Sequence, residues 1–411
     1  MNPLQSTTTK SKDLGLLLVL VFVACFCEFS IYVLVPLAAN ARGSSNTWIG
    51  VLVGAPQLML VLTLIPGTHW AAGWRRRTVL ALGTGLQGAG ALGHAVISNP
   101  YAMLLPQLLL GLGLALLWPT YLSYFGSIVR GDAANEWQGR RAALEGVALL
   151  IAPVGATFLA QMLSYQKAFA IIGAITVTVA LTPVLLMSPT TRPESRQAAK
   201  TSLSSSFRQA GGMLKHPALL MILGLISVGA VLVMRVGGPF LTLYLSSLGY
   251  GQVAVGLLLS LQALSKITFQ AGYGRMTQRI RPIYLLASSI VLAALTYMFL
   301  PAFTLPVFLV GILLVSGAFS ASYNPAMVGL VSDQFSDEER DLGMAVWITV
   351  LSVTVWLASP ALGALSDAVG LAALFPIASF VVILATIGLV GYGRWIARRK
   401  NAPGELVELW T

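Results

Sequence analysis

The sequence predicts an all-α integral membrane protein: twelve transmembrane helices in two pseudo-repeated six-helix halves around a central cavity. Three observations carry this. Of 411 residues, 56% are apolar and only 9% are Asp, Glu, Lys or Arg, whereas a water-soluble globular domain carries roughly 25% charge. The apolar residues fall in about a dozen runs of roughly 18 to 25 residues, the length that crosses ~30 Å of hydrocarbon as a helix. The charged residues punctuate these runs, and 21 of the 25 Lys and Arg fall in the termini and every second connection.

Taken in order, span one (residues 14 to 39) follows Lys10 and Lys12; its length and Glu28 argue against a cleaved leader, despite Ala39-Asn40-Ala41 after it. Span two (47 to 67) starts at Trp48 and closes on Pro66-Gly67. Span three (78 to 98) opens after Arg75-Arg76-Arg77, and span four (101 to 125) after Asn99-Pro100. Spans five (142 to 163) and six (166 to 187) follow Arg140-Arg141. Ser188 to His216 is the one long polar stretch, rich in Ser, Thr, Arg and Gln, and reads as a linker. Span seven (217 to 245) opens on Pro217, and span eight (253 to 273) follows Gly249 and Gly251. Span nine (282 to 300) opens on Pro282 after Arg279 and Arg281, and span ten (304 to 327) follows Pro301. The acids Asp333, Asp337, Glu338, Glu339 and Asp341, with Arg340, read as a solvated loop entering span eleven (342 to 365). Span twelve (371 to 393) lies between Gly370 and Arg394. The expected divisions are a first half at 1–187, a linker at 188–216, a second half at 217–393 and a tail at 394–411.

Translocation of Lys and Arg is opposed, so the basic connections lie inside. Both termini and the linker are therefore expected in the cytoplasm, with the chain a multi-pass protein of the inner (plasma) membrane. The opposite loops hold only Arg42 and Lys167, and Arg235 and Lys266 fall within spans. The net charge of +11 is scattered rather than gathered in a patch, which excludes a nucleic-acid role. Cys25 and Cys27, two apart on one helix, are sterically poor disulfide partners.

A weak internal repeat supports the two halves. Gly111, Pro119, Arg140 and Pro153 recur as Gly317, Pro325, Arg340 and Pro360 with similar spacing. Trp48-Ile49-Gly50-Val51 matches Ala254-Val255-Gly256-Leu257. Two repeated six-span halves are the signature of a transporter with a site between them.

With these features the chain resembles the major facilitator superfamily over its whole length. The family's loop between spans two and three reads G-x-L-A-D-R-x-G-R-R-R; here Gly67 and Arg75, Arg76 and Arg77 keep its ends, while Ala71 stands where the acid belongs and Met276 stands there in the second-half copy. The resemblance implies that these residues gate the transport cycle. Span four of proton-coupled members often has R-x-x-x-G, and Gln107 with Gly111 occupies those places. Span five of exporters resembles g-x-x-x-G-P-x-x-G-G. Ala148, Ala152, Pro153, Gly155 and Ala156 form a small-residue version, which implies a gating role for Ala152, Pro153 and Gly155 and favours export; small residues also serve close helix packing generally. Pro360, Gly363, Asp367 and Gly370 look like the span-eleven counterpart.

Charge at membrane depth costs at least ~2.5 kcal/mol on insertion scales and so marks function by default. Glu28 in span one is the expected proton-coupling acid; a structural ion pair is the alternative. By the repeat offset its counterpart is Met234, beside Arg235. Pro239 has no N–H for the carbonyl of Arg235, so span seven is expected to kink or loosen there. Gln262, Lys266 and Gln270, four apart, share one face of span eight. Arg235, Lys266 and Gln262, with Tyr32, Gln57, Trp118, Asn324 and Trp347, are the expected substrate-binding groups; Tyr244, Tyr323 and Trp356 are further lining candidates. Glu145, four residues after Arg141, reads as its local ion-pair partner. His69, His94 and His216 lie in separate segments without metal-ligand spacing, and no Walker-type loop occurs, so neither metal nor cofactor is expected.

These features together predict a secondary active transporter rather than an enzyme, most simply a monomer. The partners expected are protons, the lipid bilayer and a small-molecule substrate. Two bases against one acid favour an anionic or zwitterionic substrate such as a carboxylate siderophore, and the span-five resemblance implies its export. The alternatives are a general multidrug exporter and an importer of sugars or organic acids.

Overall fold

The computed structural model describes residues 3–71, 74–129, 134–187, 208–209, 211–335, 340–398 and 410. Most of the linker, Asp337, Glu338 and Glu339, and most of the C-terminal tail lie outside the described residues. The elements described are helical. They run α1 (Pro3–Ala41), α2 (Asn46–Ala71), α3 (Arg76–Val96), α4 (Leu104–Ile128), α5 (Ala134–Met162), α6 (Tyr165–Ala180) and the short α7 (Thr182–Leu186). After the linker come α8 (Pro217–Ala230), a π-helix (Val231–Phe240), α9 (Leu241–Ser247), α10 (Gln252–Gln270), the short α11 (Tyr273–Thr277), α12 (Pro282–Phe299), α13 (Pro306–Ser320), α14 (Tyr323–Ser332), α15 (Arg340–Val369) and α16 (Leu371–Ala397).

Among the described residues, 11 helical segments are long and apolar enough to cross a membrane. Their outward faces are apolar as well. On α16, Ile377, Phe380, Val381, Leu384 and Ile387 are exposed at helical spacing, while Leu374, Phe375 and Val382 are buried. A helix apolar all round belongs in lipid.

α3, 21 residues long, is the least apolar of the long helices because it carries Thr84, Gln87, His94 and several glycines. All three polar side chains are fully buried, at 0% exposure, since α3 is enclosed by α4 and α6. The glycines permit that enclosure. A Cβ on Gly113 of α4 would lie 2.6 Å from the Gly83 carbonyl oxygen and 2.8 Å from the Gln87 nitrogen, and one on Gly88 would lie 2.8 Å from the Val177 nitrogen of α6. Small residues let membrane helices approach in this way, where packing rather than hydrophobic exclusion drives association. Gly113→Ala is therefore expected to cost about 1–3 kcal/mol through overpacking. Cys25 and Cys27 are free and buried, so a thiol-reactive dye reads the loss as a lower unfolding temperature.

The spans run unbroken except where proline intervenes. Span ten divides into α13 and α14 at Ala321–Ser322, because Pro325 lacks the N–H for the carbonyl four residues earlier and its ring crowds that carbonyl. Span seven keeps its helical course by widening into the π-helix that contains Pro239.

The chain divides into two compact units. The first comprises residues 1–44, 55–203 and 251–260; the second comprises residues 45–54, 204–250 and 261–411. In the first, Leu17, Leu20, Ala24, Tyr121, Phe125 and Ala148 form a core onto which Trp118 packs. In the second, Phe240, Tyr323 and Phe375 are among the largest fully buried side chains. The first turns of α2 belong to the second unit and those of α10 to the first.

Candidate functional site

In the first unit Glu28 is half-buried on α1. One turn on, Tyr32 accepts a hydrogen bond from Gln57 Nε2 of α2 at 3.3 Å. Trp118 stands edge-on to Tyr121, ring centres 6.0 Å apart. The small-residue stretch of α5 buries Ala148, Ala152 and Ala156 completely. Gly155 faces the Phe26 ring, which a Cβ would meet at 3.6 Å. Pro153 leaves its carbonyl to the Thr157 hydroxyl, 2.7 Å away, and that same carbonyl lies 2.7 Å from where a Cβ of Gly256 would be. Beyond it, Gln161 Oε1 accepts the Val253 N–H at 3.0 Å, and Gln252 Nε2 donates to the Tyr165 hydroxyl at 2.9 Å.

The second unit builds the repeat-related contact with different chemistry. Gly50 of α2 packs against the Ser359 carbonyl, and Gly363 against Asn46, so closely that a Cβ at either glycine would overlap backbone. The Asp367 carboxylate then caps α2. It accepts the N–H of Asn46 at 2.9 Å and of Thr47 at 2.8 Å, and the Thr47 hydroxyl at 2.6 Å. A negative charge on these otherwise unsatisfied donors is stabilising. Asp367→Ala is expected to cost roughly 0.5–2 kcal/mol, the range for loss of a side-chain cap. Hydrogen exchange of the Asn46 and Thr47 amides should accelerate correspondingly, with the amides of α12 unchanged.

The arginine loop is anchored from an unexpected direction. Arg75 is exposed, and Arg76 and Arg77 are half-buried at the start of α3; Gly67 lies in the last turns of α2. Arg76 Nη1 donates to Ser127 Oγ at 3.0 Å, and its guanidinium sits over the Tyr124 ring, 5.5 Å from the centre. The Tyr124 hydroxyl in turn donates to Asp13 Oδ2 at 2.8 Å, and Asp13 is only 3% exposed. Ala71 brings no acid, and α1 supplies one through a tyrosine. Arg141 and Glu145 pair at 2.6 Å across one helical turn.

Arg235 lies within the ten-residue π-helix and is fully buried, at 0% exposure. Stretches of π-helix are rare and frequently occur at functional sites. Here Gly237, Gly238 and Pro239 explain one. Two glycines have little preference for the α-helix, and the proline removes a donor, so the wider i→i+5 pairing costs less than usual. Gly237 presses against the Tyr297 hydroxyl of α12, in the place a Cβ would occupy. Gln262 Nε2 donates to that hydroxyl oxygen at 2.7 Å and to Ser316 Oγ of α13 at 3.0 Å. Both amide hydrogens of Gln262 are thus used inside the unit. Lys266, one turn further along α10, is half-buried, and Asn324 is exposed at the start of α14. Trp347 on α15 is buried, at 7% exposure, with its indole N–H lacking a hydrogen-bond partner among the described residues.

Glu28, Tyr32, Gln57, Trp118 and the α5 stretch therefore lie in one unit, and Arg235, Gln262, Lys266, Asn324 and Trp347 in the other. Tyr297, Ser316, Asp13 and Tyr124 escaped the sequence reading. A hydroxyl-bearing Tyr297 in the apolar span nine was the available signal, but its partners lie 35 and 60 residues away in the chain.

No curated protein matches the sequence. Solved structures match its fold. A nucleoside transporter, NupG, aligns over 92% of this chain and 98% of its own, with TM-score 0.75 and 15% identity. A POT family transporter in complex with 5-aminolevulinic acid aligns over 92% and 96%, with TM-score 0.72 and 14% identity. A peptide transporter POT in complex with sulfate aligns over 93% and 94%, with TM-score 0.75 and 13% identity. The family model of the Major Facilitator Superfamily matches residues 17–254 and again 230–408. Two successive matches spanning nearly the whole chain, on a helical membrane fold, establish that it belongs to the Major Facilitator Superfamily and is a transport protein rather than an enzyme.

Proposed function

We propose that this protein is a proton-coupled exporter of a small anionic or zwitterionic organic molecule, working by alternating access. The observation that carries this reading is Arg235, a permanent cation buried completely in the π segment of an apolar span. Burying such a group is expensive, and its fork geometry matches a carboxylate bidentately. Lys266 adds a point-like attraction, and Glu28 carries the proton. The POT family transporter crystallised with 5-aminolevulinic acid supports a ligand bearing both a carboxylate and an amine. A carboxylate siderophore belongs to the same chemical class.

In this reading α3 joins the 11 apolar spans as the twelfth. Residues 1–187 and 217–393 form the two halves about a central cavity, joined by 188–216 and followed by the 394–411 tail. Gly67, the Arg75–Arg77 run and the α5 stretch act in gating. The protein functions as a monomer in the inner membrane with both termini cytoplasmic. The orientation rests on the lysine and arginine bias. A cysteine at Gln209 should therefore resist an impermeant maleimide in intact cells, and one at Ser45 should react.

The functional test is transport in proteoliposomes of known orientation, with benzoate, benzyl alcohol and benzylammonium as matched anionic, neutral and cationic probes. Uptake of benzoate into inverted vesicles, driven by an acidic interior and exceeding the other two, is expected. A preference for benzylammonium would promote the multidrug alternative, and transport restricted to right-side-out vesicles would promote an importer.

A further inference from the structure

The π-helix does not hold its register alone. Arg235 is followed after one residue by Gly237, and Gly237 lies so close to the Tyr297 hydroxyl that no side chain fits between them. That hydroxyl is itself held. Gln262 donates to it at 2.7 Å while donating at 3.0 Å to Ser316, and Ser316 donates to the Leu313 carbonyl at 2.9 Å. α10 and α13 are locked to each other beside this point, because Ser265 Oγ donates to the Leu314 carbonyl at 2.6 Å and Gly317 abuts the Gln262 carbonyl. The Tyr297 ring is only 2% exposed. It packs on Phe375 with ring centres 6.4 Å apart, and Phe375 packs on Tyr244, 5.0 Å away, just past the end of the π-helix. Tyr297 of α12, held by Gln262 of α10 and packed on Phe375 of α16, thus bears on one backbone position two residues from the arginine.

We propose that Tyr297 is a positioning residue for Arg235. Its hydroxyl, clamped by Gln262 and Ser316, occupies the Cβ space of Gly237 and so sets the π register that points the guanidinium. The physical reason is angular. In an α-helix each residue advances about 100°, whereas i→i+5 pairing puts more residues into each turn. The direction of Arg235 therefore depends on where the π segment is pinned. Gly237 is the pin, since it alone of the adjacent glycines is pressed by a neighbour; Gly238 has open space where its Cβ would be. Gln262 accordingly acts through Tyr297 rather than on the substrate directly.

The inference deepens the reading of Arg235 as the substrate's carboxylate partner, and its test separates the two. Phenylglyoxal modifies guanidinium groups, and mass spectrometry of the peptide containing Arg235 follows its protection in the full-length protein. Tyr297→Phe removes the hydroxyl but keeps the ring, and Gly237→Ala forces a methyl into the hydroxyl's place. Each single change should raise the modification rate of Arg235 about tenfold, as expected when one buried hydrogen-bonded contact is lost. Arg76, held by Ser127 in the other unit, should be unaffected, which separates a register change from general unfolding. Combining the two changes exchanges hydroxyl for methyl at one point and should return Arg235 to within about twofold of its original rate. Protection unchanged in both single variants, or a double variant no better than Gly237→Ala alone, would overturn the proposal. Benzoate transport by the same proteins reads the other question. If Arg235 is repositioned, KM for benzoate should rise in Tyr297→Phe and recover in the double variant. If wild-type protein ignores benzoate while the phenylglyoxal pattern holds, the substrate reading fails and the positioning role stands.

Discussion

Glu28→Gln is expected to abolish accumulation of substrate driven by a proton gradient while leaving counterflow exchange intact. Glutamine preserves the size and the hydrogen-bonding reach of the side chain but has no carboxyl proton to exchange. Glu28 is a half-buried carboxyl in the apolar part of the 39-residue α1, where charge is costly, and the proposed role for it is proton exchange. Counterflow needs only the alternation of the loaded protein, so it should proceed when the coupling acid is neutralised. The measurement uses proteoliposomes loaded with unlabelled benzoate and given labelled benzoate outside, with and without a pH step. In the variant, the labelled compound should equilibrate at nearly the wild-type rate without a pH step, and the pH step should produce no concentration above equilibrium. Continued uphill accumulation would remove Glu28 from the coupling role and direct attention to the buried acid Asp13.

Arg235→Lys should lower benzoate transport roughly tenfold to hundredfold, because a hydrogen bond to a charged group contributes about 1.5–3 kcal/mol and one arm of the bidentate pair is lost. Charge is retained, so a purely electrostatic role would survive the exchange. Geometry is not retained, since lysine presents a compact ammonium on a flexible stem in place of a planar fork. Lys266→Gln is expected to act more weakly and on KM, as that side chain is only half-buried and offers a single point of charge. Equal transport by wild type and Arg235→Lys would show that the arginine serves folding or neutral packing, and a thermal unfolding curve on the same samples distinguishes those two.

Much of this architecture was legible in the sequence for a simple reason. In a bilayer every backbone polar group must be satisfied within its own segment, so span length and hydropathy locate helices almost independently of what surrounds them. The local ion pair of Arg141 with Glu145 was readable likewise, because four-residue spacing on a helix guarantees proximity. Gly50 and Gly256, matched in sequence, are both close-packing points against a serine- or proline-bearing helix.

What the chain does with its proline and glycine residues was only partly readable. Pro239 announced a weakness in span seven, but a kink, a break and a π-helix satisfy the same missing donor. Tyr297, whose hydroxyl packs against Gly237 in the π-helix, lies 60 residues beyond it in the chain and meets it only through packing. Gln262 shows the same division. Its four-residue spacing from Lys266 and Gln270 puts it on a polar stripe, yet whether such an amide faces a cavity or a neighbouring helix depends on which hydroxyls arrive opposite, and those come from α12 and α13. The sequence by itself determined the family, the helices and the presence of charge at membrane depth, since these follow from local composition and period. Only the tertiary structure decided that Asp13 answers Arg76 through Tyr124, that Asp367 caps α2 and that a phenol hydroxyl packs against Gly237, two residues from Arg235. Each of these is a directional bond between segments far apart in the chain, and no local preference encodes its partner.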